Sequence, residues 1–225
     1  MKLNLRDPFA TRHGAKIAAI RDADDSDLIL QPDEFLRVVF ELSAFGDTDS
    51  QRLNMIIETS PAIQEELARL DDTLIDYLIE HSDRLFNKCL AAEQVRASYS
   101  SCIRDSDKGY PPALKSKLDV GSGRHAVVCW DEDGNQLETP ASWRQFLIRP
   151  RLHVTHLWVM GSAFGAVVRV TDALLRPNAV ATERKCPFNN AEATGGGTLE
   201  LPQTAGALPP NARRQRLLPR AKRDG

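Results

Sequence analysis

No run of eighteen apolar residues occurs anywhere in the chain, so a membrane-spanning helix is not expected. The opening residues Met1-Lys2-Leu3-Asn4-Leu5-Arg6-Asp7 lack the apolar stretch of a secretion signal. An intracellular, reducing setting is therefore expected, in nucleus or cytoplasm. Cysteine is scarce: Cys89, Cys102, Cys129 and Cys186 share no CxxC spacing, which argues against a zinc ribbon or a dithiol pair and predicts free thiols. His153 and His156 stand three apart, and on a regular strand they point to opposite faces, so they do not form a metal pair. There is no GxSxG elbow and no HExxH, and Gly121-Ser122-Gly123-Arg124 has no following Lys-Ser/Thr of a phosphate loop. The expectation is a protein that is not an enzyme and holds no cofactor and no metal. Aromatic residues make up only 6%, modest for a surface that stacks many rings.

What is present is enough to build a core. Hydrophobic residues reach 42% and charged residues 27%, the balance of a globular chain and not of a disordered one. The formal net charge of −2 hides an asymmetry. Residues 176–225 hold nine Lys/Arg against four acids, which leaves −7 on residues 1–175. An acidic body attracts nucleic acid only through a local basic groove.

The apolar periodicity stops after Leu174-Leu175-Arg176-Pro177, and Gly195-Gly196-Gly197, Pro209-Pro210 and an arginine-rich end follow. Residues 1–14 are read as a flexible N-terminus, 15–177 as the folded domain and 178–225 as a disordered basic tail. Within the domain, Leu36, Val38, Phe40 and Leu42 alternate with polar neighbours, as a half-buried strand does. Ser60-Pro61 is a helix start, with an N-cap serine and proline at the first helical position. Ile63, Leu67, Leu70, Leu74 and Leu78 then follow at helical spacing, with Asp71-Asp72 on the solvated side. Two further helices are predicted, one near Ser82 and one over Ala92–Ile103. Strands are expected again at Leu114–Val120, Ala126–Trp130, Val154–Met160 and Phe164–Val170, with a hairpin turn at Asp133-Gly134. Strands, then helices over about 60–103, then strands argue an α+β fold: an antiparallel sheet or small barrel with an inserted helical segment.

The chemistry sits on the later strands. Arg144, Arg149, Arg151, Arg169 and Arg176 face a single acid, Asp172, between residues 141 and 176. Trp143, Phe146, Trp158 and Phe164 are interleaved with them, while Lys115 and Lys117 share one strand face. Cations along a strand groove follow a phosphate backbone, and rings stack bases without reading them. The candidate nucleic-acid contacts are Lys115, Lys117, Arg144, Phe146, Arg149, Arg151, Phe164 and Arg169. Trp158, in the most apolar stretch of the chain, is expected to be a core residue.

Three segments also resemble a known family. Tyr110-Pro111-Pro112-Ala113-Leu114-Lys115-Ser116-Lys117-Leu118, the turn within Trp130–Gln136, and Leu157-Trp158-Val159-Met160-Gly161-Ser162-Ala163-Phe164-Gly165 are similar to segments of the single-stranded-DNA-binding-like proteins of large eukaryotic DNA viruses and their protist relatives. That family typically shows YPPxxKxK, DxxGN and LWFxGGKFGxxW. The resemblance implies an OB-like antiparallel β-barrel with inserted helices. It also implies binding of single-stranded DNA without sequence preference; RNA is a second candidate partner, which the resemblance does not address. Ala163 and Val168 depart from the family's lysine and tryptophan. The alternative is a degenerate barrel serving as a protein-interaction or structural module, docking a partner on the acidic helix Glu65–Glu80.

Overall fold

The computed structural model describes residues 2–179, apart from 13, 45–50, 87, 106–108, 122 and 124. The expected tail over 178–225 lies almost wholly outside these residues. The chain begins with short strands: β1 (Asn4–Leu5), β2 (Phe9–Ala10), β3 (Lys16–Arg21), β4 (Leu28–Leu30), β5 (Leu36–Arg37), β6 (Ser43–Ala44) and the longer β7 (Arg52–Glu58). Helices α1 (Pro61–Glu80), α2 (Ser82–Phe86) and α3 (Ala92–Ser98) follow. The chain then returns to strands with β8 (Ile103–Arg104), β9 (Ala113–Asp119), β10 (Val128–Trp130), β11 (Gln136–Leu137), β12 (Phe146–Met160) and β13 (Ala163–Pro177).

Strands β12 and β13 form a hairpin of 15 residues a side, turned at Gly161, whose φ of +64° suits a residue without a Cβ. Along its other edge β12 is covered in turn by β5, β4 and β3. Pro150, which cannot donate to a ladder, falls between the segments covered by β5 and β4. The sheet continues from β13 through β9 to β7 and β6. It is an open sheet and not the closed barrel expected from the sequence. On the side where a barrel would seal, an isolated bridge from Val38 to Ile57 stands in place of a ladder.

Helix α1 forms where the spacing places it. The Ser60 side chain accepts from the Ile63 N–H at 3.4 Å, and Pro61 opens the first turn. Ile63, Leu67, Leu70, Leu74, Ile75 and Leu78 are buried and join the inward residues of the strands in one apolar cluster. At about 1.5–3 kcal/mol per fully buried aliphatic side chain, that face holds the helices against the sheet. Alternation then decides which side chains look outward. In β9, Leu114, Ser116 and Leu118 are buried while Lys115 and Lys117 stand on the opposite, outer face.

The third helix is shorter than the sequence reading. It ends at Ser98, and Tyr99 turns to extended backbone. The Tyr99 hydroxyl donates to Asp71 Oδ1 at 2.6 Å and the Ser101 hydroxyl to Asp71 Oδ2 at 2.5 Å. Asp71, read from the sequence as part of a solvated face, is thus a strut from α1 to the segment 99–104. That segment fills the gap where β9 and β13 diverge, since the two strands share one register pair, Lys117 with Arg169. The Ser100 N–H donates to Phe164 O at 2.7 Å and the Lys115 N–H to Cys102 O at 2.9 Å. The crossing is close: a Cβ added to Gly165 would meet Ser100 O at 2.4 Å. Gly165→Ala is therefore expected to lower stability by about 1–3 kcal/mol, measured by urea unfolding.

Candidate nucleic-acid interface

The outer face of the sheet carries the chemistry. One lateral row follows from the register: Asn54 on β7 lies opposite Lys117 on β9, Lys117 beside Arg169 on β13, and Arg169 opposite His153 on β12. Neighbouring strands are about 4.8 Å apart, so these groups form a short path running across the strands. The Lys117 amine donates to Asn54 Oδ1 at 2.6 Å, which fixes its position on the face. Arg169 reaches Asp119 at 3.3 Å, and Asp119 is shared with Arg52 at 3.4 Å.

Two clefts open beside this row. The first, of about 330 Å³, is lined by Ser101, Arg104, Lys115, Lys117, Trp158 and Met160. The second, of about 760 Å³, holds Arg37, Phe40, Glu58, Arg104 and Tyr110. Arg104 lines both, so they adjoin. Five large apolar side chains stand exposed among the described residues, and three of them line these clefts: Phe40 at 62%, Tyr110 at 69% and Met160 at 63%.

The cations on this face crowd one another. Lys117 is held below the ordinary lysine range by burial, then by the charges of Lys115 and Arg52. Lys115 is lowered by burial and by Arg104. His156 is lowered by burial, then by Arg169, Arg52 and His153. A patch of mutually repelling positive charge on a body of net −7 is relieved by an anionic ligand.

The residues singled out from the sequence divide. Lys115, Lys117 and Arg169 come together on the outer face. Arg151 is on it too, 3.7 Å from Asp172. Arg144 is exposed, and neither it nor Arg149 lines either cleft. Phe164 is 1% exposed and packs with Phe86 and Tyr99, because β13 turns it inward. Phe146 leans on the same core. Phe164 is thus closed to stacking, and Phe146 is half-buried. Trp158, expected in the core, instead points outward and lines the first cleft, while Trp143 at 2% exposure is the buried tryptophan. Phe40 and Tyr110 were missed. Phe40 has the alternation of a buried strand residue, but β5 ends at Arg37 and releases it. Tyr110 had one usable signal, a ring held in a loop between Gly109 and Pro111.

His153 and His156 also depart from the sequence reading. The β12–β13 register slips between Val154 and His156, so both imidazoles lie on the outer face. Among the described residues they do not join a third ligand to form a metal-binding group. Burial pushes the Cys102 thiol up to about 12 and the Cys129 thiol up to about 11, which keeps both protonated near neutrality. Arg176, part of the basic run but not one of the candidate contacts, is held bidentately by Glu132 at 2.9 and 2.6 Å and lies over the Phe35 ring.

The outer face of the open sheet thus carries cations beside rings that are not packed into the core. No family model matches the chain, and no curated protein matches it by sequence. Among solved structures it is similar to a single-stranded DNA-binding protein from bacteriophage Enc34 in complex with single-stranded DNA. There the identity is 9% and the TM-score 0.42, over 78% of this chain and 93% of that one. It is also similar to gp2.5, a single-stranded DNA binding protein encoded by bacteriophage T7, at 12% identity and TM-score 0.40, over 70% and 97% of the two chains. These solved chains come from bacteriophages and not from the large eukaryotic DNA viruses whose motifs the sequence resembles. Among the described residues no helix is long and apolar enough to cross a membrane.

Proposed function

We propose that the chain binds single-stranded DNA without sequence preference along the outer face of the sheet. One observation carries this reading: solvent-exposed Phe40 and Tyr110 share adjoining clefts with Arg104, Lys115 and Lys117, cations that lie next to one another. Rings that are not packed into a core stack any base, since every base has a π-face, while the cations follow the phosphates. A duplex keeps its base faces covered, so the two rings add nothing to its binding. Of the two acids that line the second cleft, Glu58 and Asp105, Glu58 is already held by Arg37 at 2.7 Å.

The test is an anisotropy titration of labelled oligo-dT and its duplex at several salt concentrations. The expected result is a preference for the single strand and a linear fall of log affinity with log salt. Replacing Lys115 and Lys117 together by alanine makes that slope shallower by about 1.4, at about 0.7 per single-strand phosphate contact. An unchanged slope would remove both lysines from the interface, and equal affinity for the duplex would remove the role of the rings. Oligo-U competing as well as oligo-dT would extend the reading to RNA.

A further inference from the structure

Beyond the two clefts, the row of cations ends in a separate notch of about 180 Å³ between β10, β12 and β13, walled by His125, Val128, His153, Arg169, Thr171 and the carboxylate of Asp172. Its volume admits a phosphate group with a little water, at about 30 Å³ per water molecule. Three features make it a site for an oxyanion. Among the described residues the Arg169 Nε is sealed from solvent and has no hydrogen-bond acceptor, an unmet donor on a cation whose side chain is 14% exposed. Such a group costs free energy until it is satisfied. A small turn of the guanidinium into the notch would give it an acceptor there.

The second feature is that the acids around the notch are already engaged. Asp172 accepts from the Trp130 ring nitrogen at 3.2 Å and the Thr171 hydroxyl at 2.9 Å, and lies 3.7 Å from Arg151. Asp119 is shared by Arg52 and Arg169. Asp27 pairs with Arg21 and lies 3.6 Å from His153 Nε2. The third feature is the sign of the surroundings. Four guanidinium groups, on Arg21, Arg52, Arg151 and Arg169, face these three carboxylates. The imidazoles of His153 and His156 add positive charge once protonated.

We propose that this notch is a seat for one phosphate group, and that it takes a backbone phosphate of the strand lying along the neighbouring clefts. The second half rests on the single-strand reading above; the seat itself rests on the notch. Occupancy has a proton linkage. His153 and His156 are held below the ordinary histidine range by burial first and by the surrounding guanidinium groups next, so both are neutral in the free protein at neutral pH. A bound oxyanion favours the charged imidazole and raises its pKa. Binding therefore takes up protons, and affinity rises as pH falls.

The experiment follows the imidazole proton signals of the full chain by NMR across a pH titration. It is run free, with saturating oligo-dT and with inorganic phosphate, and anisotropy is measured in parallel at roughly pH 8 and pH 5.5, either side of the ordinary imidazole value of about 6.5. The expected result is an upward shift of the His153 midpoint with either ligand. Oligo-dT binding should tighten about fivefold or more at the lower pH, and His153→Gln with His156→Gln should reduce that gain below about twofold. A melting curve of the double variant confirms that it folds. If oligo-dT binds and the His153 midpoint stays where it was, the seat is wrong and the strand reading stands. If phosphate moves the midpoint and oligo-dT does not bind, the seat stands and the strand reading falls. Failure of both ligands overturns both.

Discussion

Replacing Phe40 and Tyr110 together by alanine is expected to weaken oligo-dT binding by about one to three orders of magnitude while leaving the fold nearly as stable as before. Both rings are mostly exposed, so their removal opens no cavity. Surface substitutions of that kind stay within about 0.5 kcal/mol. Base–aromatic stacking is worth roughly 1–3 kcal/mol per base, and 1.4 kcal/mol is tenfold in affinity. Duplex binding should change little, because paired bases have no free face to lose. An anisotropy titration of both ligands against the double variant checks this. A parallel loss for duplex and single strand would mean that the rings shape the surface and do not stack.

The second large effect separates two tryptophans that look alike in sequence. Trp143→Ala is expected to destabilise the fold by about 3–5 kcal/mol, the usual cost of emptying a buried aromatic site. Trp158→Ala removes a ring from the wall of the first cleft. It should cost the fold less and the oligo-dT affinity more. Urea midpoints and anisotropy on the two variants together give a crossed pattern. If Trp158→Ala is the more destabilising of the pair, its ring is structural and the cleft needs another stacking partner.

Much of the scaffold was legible because it obeys one period at a time. Helix α1 could be read from Ser60-Pro61 and five apolar residues in register. The outward pair Lys115 and Lys117 followed from strict alternation on β9. The turn at Asp131–Asn135 was announced by Asp133-Gly134, where Gly134 has φ +84° and the Asp131 carboxylate accepts N–H groups from Asp133 and Asn135. The site was less legible because it depends on interruptions. Pro150 disguised a strand of 15 residues as a shorter one. The slip near His156 moved an imidazole to the same face as His153. Phe164 and Trp158 exchanged their expected places, since one residue of offset across a hairpin decides which ring is core. The barrel failed to close for a reason no periodicity shows: the residues after β5 meet β7 through an isolated bridge.

The Asp71 carboxylate has a consequence for how the helices and the strand face depend on each other. Two hydroxyls from the edge of the first cleft, those of Tyr99 and Ser101, are fastened to one side chain in the middle of α1. Burial holds that carboxyl above its ordinary range even with both hydroxyls donating to it. The helical insertion is thus a doorpost for the cleft. A register shift of α1 by a single residue would carry Asp71 about 100° around the helix axis, given 3.6 residues per turn, and leave the lip of the cleft unhinged.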